Sequence, residues 1–135
     1  MKITIGAKNL RSEFVQLLER MSGEDLSKCY QCGNCSGGCP VAFAMDVSPH
    51  HIIRLLQLGQ EDAVLKANTM WLCVSCLQCY SRCPKFVDLS KILEALRQVG
   101  LRKGIDHIAV KKLPVDLLAK SPQQTLVAGF RKLVS

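Results

Sequence analysis

Every cysteine in this 135-residue chain belongs to one of two copies of a single spacing. Cys29, Cys32, Cys35 and Cys39 precede Pro40 in the order C-x2-C-x2-C-x3-C-P, and Cys73, Cys76, Cys79 and Cys83 precede Pro84 in the same order. Each element of the second copy lies 44 positions after its counterpart. Thiols at this density leave few folds open. Four cysteines within eleven residues crowd the geometry a disulfide requires, and zinc sites ordinarily draw on two separated C-x2-C pairs. A run of four that ends in proline is the ligand run of a protein holding two [4Fe–4S] clusters. Such a chain moves electrons.

The two-residue gaps let the backbone curl around one corner of a cubane and present three sulfurs, while the cysteine before proline is turned away. In two-cluster proteins of this kind the fourth cysteine ligates the other cluster. The expected quartets are therefore Cys29, Cys32, Cys35 and Cys83 for one cluster, and Cys73, Cys76, Cys79 and Cys39 for the other. Gly33, Gly37 and Gly38 are expected to let the first loop approach its cluster closely. The second loop carries Val74, Leu77 and Tyr80 where the first has Tyr30, Gly33 and Ser36, so it should exclude water better. Burial and N–H donors act oppositely on a reduced cluster. The two centres should differ in potential, in an order the sequence does not give.

Periodicity outside the cysteine runs is helical. Residues 1–8 alternate weakly, as a short strand or an arm would. Residues 9–21 place Leu10, Phe14, Leu17, Leu18 and Met21 on one face, and Ser22-Gly23 should end that helix. Asp46-Val47-Ser48 precedes a helix opened by Pro49 behind a Ser cap and stopped at Gly59. Its apolar face is Ile52, Ile53, Leu55, Leu56 and Leu58, and its wet side His50, Arg54 and Gln57. Asp88-Leu89-Ser90 repeats that opening before a helix bearing Ile92, Leu93, Leu96 and Val99 and ending at Gly100. Residues 61–72 read as one further helix leading into Cys73. Ser121-Pro122 starts a last one, with Leu126, Phe130 and Leu133 along a face. The expected fold is mainly α, a helical two-cluster ferredoxin built from pseudo-twofold loop–helix units. Residues 1–25 form an N-terminal arm and helix, 26–100 the two-cluster domain, and 101–135 a basic helical extension.

The formal charge of +7 counts the thiols as neutral. Eight thiolates and two oxidised cores bring the loaded chain to about +3, so the basic balance is weak evidence for nucleic acid, and no recognition-helix pattern accompanies it. From residue 97 onward eight lysines and arginines face only Asp106 and Asp116. That composition suits either a solvated tail or a docking surface for an acidic partner. Apolar stretches break at charges well short of ~18 residues, and the first twenty residues hold no long apolar block. No direct membrane insertion is expected, and the expected compartment is cytoplasmic. The sequence contains no Gly-rich dinucleotide fingerprint, phosphate loop or Cys-Cys-Gly signature. His50, His51 and His107 form no acid/base site, and Trp71 reads as packing near a cluster. No catalytic residue is assigned.

The paired runs, their helical spacer and the stretch Met45-Asp46-Val47-Ser48-Pro49-His50-His51-Ile52-Ile53-Arg54 through Gly59 resemble the C subunit of heterodisulfide reductase, over roughly residues 10–100. Related helical modules occur in glycolate oxidase, anaerobic glycerol-3-phosphate dehydrogenase and lactate-utilisation proteins, usually fused to Cys-Cys-Gly domains. The resemblance implies an electron-transfer protein set between a flavin-bearing A subunit and a disulfide-reducing B subunit. The latter would do its chemistry at Cys-Cys-Gly-bound clusters. A relay in another dehydrogenase complex and a free-standing ferredoxin are the alternatives, with a nucleic-acid-binding redox sensor a distant third.

Overall fold

The computed structural model describes residues 12–102, 104 and 106–134. The expected arm at 1–8 and the first turn expected at 9–11 lie outside the described residues. The chain divides into two units, Met1–Leu96 and Arg97–Ser135. Regular structure among the described residues is entirely helical.

In the first unit, α1 (Glu13–Ser22) starts behind Ser12, whose hydroxyl accepts the Val15 N–H at 3.3 Å, and stops at Gly23 in the left-handed conformation. Its inward face is Val15 and Leu18, with Phe14 and Met21 half-buried. Leu17, expected inside, is exposed. Glu19 then reaches forward to accept the Leu26 N–H, which seats Leu26 in the core at the mouth of the first cysteine run.

Helix α2 (Asn34–Gly37) lies within the first run, and α3 (Pro49–Gln57) follows it. Helix α3 ends in two reciprocal bonds, Gly59 N–H to Leu56 and Gln60 N–H to Leu55, with Gly59 left-handed at φ 67°. Ile52, Ile53 and Leu56 are buried and Leu55 and Leu58 half-buried. Ser48 stands at the N-cap as expected, but its hydroxyl accepts no N–H from the helix. Its hydroxyl is turned to the Nδ1 atoms of His51 at 3.0 Å and His50 at 3.4 Å.

The single helix expected over residues 61–72 is two helices, α4 (Glu61–Lys66) and α5 (Thr69–Leu72). The break has a visible cause. The Asp46 carboxylate accepts the Asn68 N–H at 3.0 Å, and the Thr69 hydroxyl donates to the Val47 carbonyl with the Asp46 carboxylate 3.2 Å away. These contacts outcompete a continuous helical ladder, and Ala67 adopts an extended conformation. They also tie the loop after the first run to the turn before the second.

Helix α6 (Gln78–Ser81) sits in the second run as α2 does in the first. Helix α7 (Leu89–Leu101) follows, and contributes Leu89, Ile92, Leu93 and Leu96 to the core of the first unit. Asp88 is its cap, accepting the N–H and hydroxyl of Ser90 and the Lys91 N–H. The likeness of Asp88 to Asp46 is therefore one of sequence only. Five positions separate Cys83 from Asp88 and seven separate Cys39 from Asp46. The shorter loop sets Asp88 at a helix start, and the longer one frees Asp46 to cross-link. Helix α7 runs through Gly100 to Leu101, past the expected stop, and the turn closes at Gly104, whose N–H meets the Leu101 carbonyl at 2.8 Å.

The second unit holds α8 (Val115–Lys120) and α9 (Gln123–Leu133). As expected, α9 opens directly behind Ser121-Pro122, with Leu126, Phe130 and Leu133 sheltered. His107 donates its N–H to the Leu133 carbonyl. No described side chain after Arg97 is buried. No helix among the described residues is long and apolar enough to cross a membrane.

Candidate metal centre

Both cysteine runs take the same backbone path. Gln31 and Ser75 occupy equivalent places and are left-handed, at φ 65° and 53°. Gly33 and Leu77 are equivalent too, at φ 78° and 62°. Each run thus turns sharply twice before entering a short helical turn, α2 or α6, that carries its third cysteine. Leucine accepts this geometry in the second run, so glycine at 33 is a convenience and not a necessity. Gly38 has a different use from the one expected. A Cβ there would lie 2.5 Å from Arg82 Cδ, so the missing side chain makes room for an arginine from the other run.

The sulfurs gather across the runs. Cys83 lies near enough to Cys29, with Cys32, for their charges to interact. Cys39 lines one cavity with Cys73, Cys76 and Cys79, and Cys35 of the first run lines it too. The rest of that wall is largely apolar, including Val41, Met45, Pro49, Val74, Leu77, Leu89 and Leu93. Val74 and Leu77 line this cavity yet stay about half exposed, at 57% and 51%. Their bulk forms a rim, and it does not seal the loop as the sequence led one to expect.

These residues fit cubane clusters. The thiolates of Cys39, Cys73, Cys76 and Cys79 around one largely apolar cavity suit a cubane, which takes them on separate corners. Backbone N–H donors stand at the sulfurs, as at Val87, 3.3 Å from Cys83 Sγ. When bound, the clusters supply one-electron chemistry; the chain supplies thiolates, donors and exclusion of water.

Several supporting residues were not legible as such in the sequence. Gln57, placed on the wet side, donates its amide to the Leu26 carbonyl at 2.8 Å and the Cys29 carbonyl at 2.9 Å. It fixes the backbone of the first ligand position from α3. Gln57→Leu keeps the bulk and strands both carbonyls, and is expected to cost about 1–2 kcal/mol; chemical denaturation of the loaded protein reads it. His50 donates its backbone N–H to Ser36 Oγ at 3.0 Å, and that oxygen lies 2.7 Å from His50 Nδ1. Which of the two atoms donates is set by the ring tautomer. Burial, and the neighbouring His51, hold His50 below the usual imidazole range, which favours the neutral ring. A long-range partner 14 positions away carries no local signal, so neither bond had a trace in the periodicity.

Burial pushes the thiols of Cys29 and Cys35 up, and that of Cys79 to about 11. In the cluster-free chain these sulfurs are protonated at neutral pH, and they must shed protons to bind iron. Loading of the cluster-free chain with iron and sulfide is therefore expected to accelerate as pH rises from about 7 to about 9. Absorbance near the iron–sulfur charge-transfer bands follows it; a rate flat or falling over that range would contradict the burial.

A helical chain with eight cysteines gathered across two runs is an α-helical ferredoxin with two [4Fe–4S] clusters. The family described as a 4Fe-4S dicluster domain matches residues 25–87. Among curated proteins, the iron–sulfur C 2 subunit of CoB–CoM heterodisulfide reductase from Methanocaldococcus jannaschii is 35% identical over 109 residues, covering 78% of this chain and 58% of its own. The iron–sulfur C subunit of the Methanopyrus kandleri enzyme is 36% identical, over 68% of this chain and 50% of its own. The C subunit of the ferredoxin:CoB–CoM heterodisulfide reductase from Methanosarcina mazei is 30% identical over 110 residues, covering 79% of this chain and 67% of its own. The chain belongs to the family of heterodisulfide reductase C subunits. It spans about half to two thirds of the length of these relatives.

Proposed function

We propose that the chain is the iron–sulfur electron relay of a heterodisulfide reductase-type complex. Electrons pass through it between a flavin-bearing A subunit and a disulfide-reducing B subunit. The observation that carries this reading is the crossing of the fourth cysteines. Cys83 stands with the first run and Cys39 with the second, which supports the quartets Cys29, Cys32, Cys35, Cys83 and Cys73, Cys76, Cys79, Cys39. Two centres held by one interlocked scaffold are close enough for direct electron hopping, and all eight ligand positions are cysteine, so none is opened for a substrate. Names of the relatives add the complex: each is the C subunit of a CoB–CoM heterodisulfide reductase. In the same reading, residues 26–100 are the two-cluster domain, residues 1–25 its N-terminal arm and helix, and residues 101–135 a basic extension. The protein would work in the cytoplasm.

The test is reconstitution with candidate A and B subunits. Replacing Cys32 and Cys76 together by alanine is expected to abolish electron flow from reduced flavin to disulfide while the subunits still assemble. A complex that keeps its full rate after both substitutions is not using this chain as a wire.

A further inference from the structure

We infer that the two centres are ordered in potential, with the Cys29, Cys32, Cys35, Cys83 centre the higher, and that the Gln31 side chain is a principal cause. This rests on the proposed quartets and gives the relay a direction.

The order follows from what surrounds each set of sulfurs. A reduced cluster is more negative by one electron, so donors to its sulfurs and nearby cations favour reduction, while an apolar, donor-poor wall disfavours it. At the first centre, Gln31 Nε2 lies 3.4 Å from Cys29 Sγ, and the Val87 N–H lies 3.3 Å from Cys83 Sγ. Backbone N–H groups of Gln31 and Ser36 add to this at Cys29 and Cys35. Two arginines border the same centre, and a lysine lies by the neighbouring Tyr30. Arg54 shares a pocket with Cys29 and Gln31, Arg82 shares one with Cys32, and Lys85 Nζ stands 6.0 Å from the ring of Tyr30.

The second centre is built differently. Tyr80 and Ser90 give backbone N–H groups to Cys79, but its cavity wall is mostly aliphatic. The carboxylate of Asp88, with Lys91 Nζ 3.9 Å from it, opposes negative charge on Cys79. The place equivalent to Gln31 is Ser75, in the same left-handed conformation, and serine has no amide to offer. The Gln31 amide and the arginines beside the first set of sulfurs point to the same order. One electron leaving the reduced Cys39, Cys73, Cys76, Cys79 centre therefore moves downhill to the oxidised partner centre, the first returning to its oxidised state as the second is reduced. The reduced flavin of a donor protein supplies the electron, and a disulfide-reducing iron–sulfur protein accepts it.

The experiment is a potentiometric titration of the anaerobically purified chain followed by EPR, with iron counted in every sample. Gln31→Leu is expected to lower the higher of the two midpoints and leave the lower one in place. Ser75→Gln, which puts the same side chain at the equivalent turn, is expected to raise the lower midpoint. It tests the order even where Gln31→Leu loads poorly. A Gln31→Leu shift in the lower midpoint, no shift in either variant, or a Ser75→Gln rise in the higher midpoint would overturn the inference. An iron content of about four per wild-type chain, in place of about eight, would instead overturn the two-cluster reading beneath it.

Discussion

Cys29→Ala combined with Cys83→Ala is expected to leave about four irons per chain, whereas Cys29→Ala combined with Cys39→Ala is expected to leave almost none. Both double variants remove two thiolates. They differ only in whether the two losses fall on one centre or on two. Cys83 interacts with Cys29 and Cys32, and Cys39 shares a wall with Cys73, Cys76, Cys79 and Cys35; under the proposed quartets the first pair damages a single cluster and the second pair damages both. If each run held its own cluster the results would exchange places. Iron and sulfide analysis after anaerobic purification, with EPR to count reduced spins, separates the two ligations. The same pairs bear on the fold. Under the proposed quartets each fourth cysteine would join the two halves of the first unit, so both variants should also unfold at lower denaturant than the native protein.

Leu56→Ala is expected to cost about 3–4 kcal/mol and to lower the Tm of the loaded protein by more than roughly 10 °C. Leu56 is fully buried, beside Ile52 and Ile53 on the inner face of α3. Its truncation leaves a void among side chains that cannot all close over it. The effect reaches the metal site because the next residue is Gln57, which holds the carbonyls of Leu26 and Cys29. Loss of the anchor should loosen that clamp, so the variant should also release iron faster to a chelator. Leu55→Ala, at a half-buried position on the same turn, should cost clearly less. Equal losses for the two substitutions would mean that α3 is not anchored through Leu56.

Much of the site was legible because cluster ligation is written in local spacing. A C-x2-C-x2-C-x3-C-P run needs only its own residues to curl around a cubane, and the equivalent left-handed pairs Gln31/Ser75 and Gly33/Leu77 show both runs doing so. The helices after the runs were legible for a similar reason, since an apolar face and a stop signal such as Gly59 are local. What failed depended on distant partners. Ser48 read as a cap, but two imidazoles claim its hydroxyl. Residues 61–72 read as one helix, but Asp46, 22 positions from Asn68, breaks it. Gln57 and His50 read as wet, and each is held by a residue of the first run. Asp46-Val47-Ser48 and Asp88-Leu89-Ser90 read as one repeated helix opening, and a two-residue difference in loop length gives the two aspartates different work.

The sequence by itself determined the cofactor type, the number of centres and the helical character, because each follows from residue spacing within a dozen positions. Only the tertiary structure decided which donors, cations and apolar walls stand at which sulfurs. Those depend on contacts between elements tens of residues apart, such as Arg82 over Gly38 and Gln57 beneath Cys29. Hydrogen bonds and charge act on a cluster through space, over a few ångströms, and sequence spacing does not record that distance.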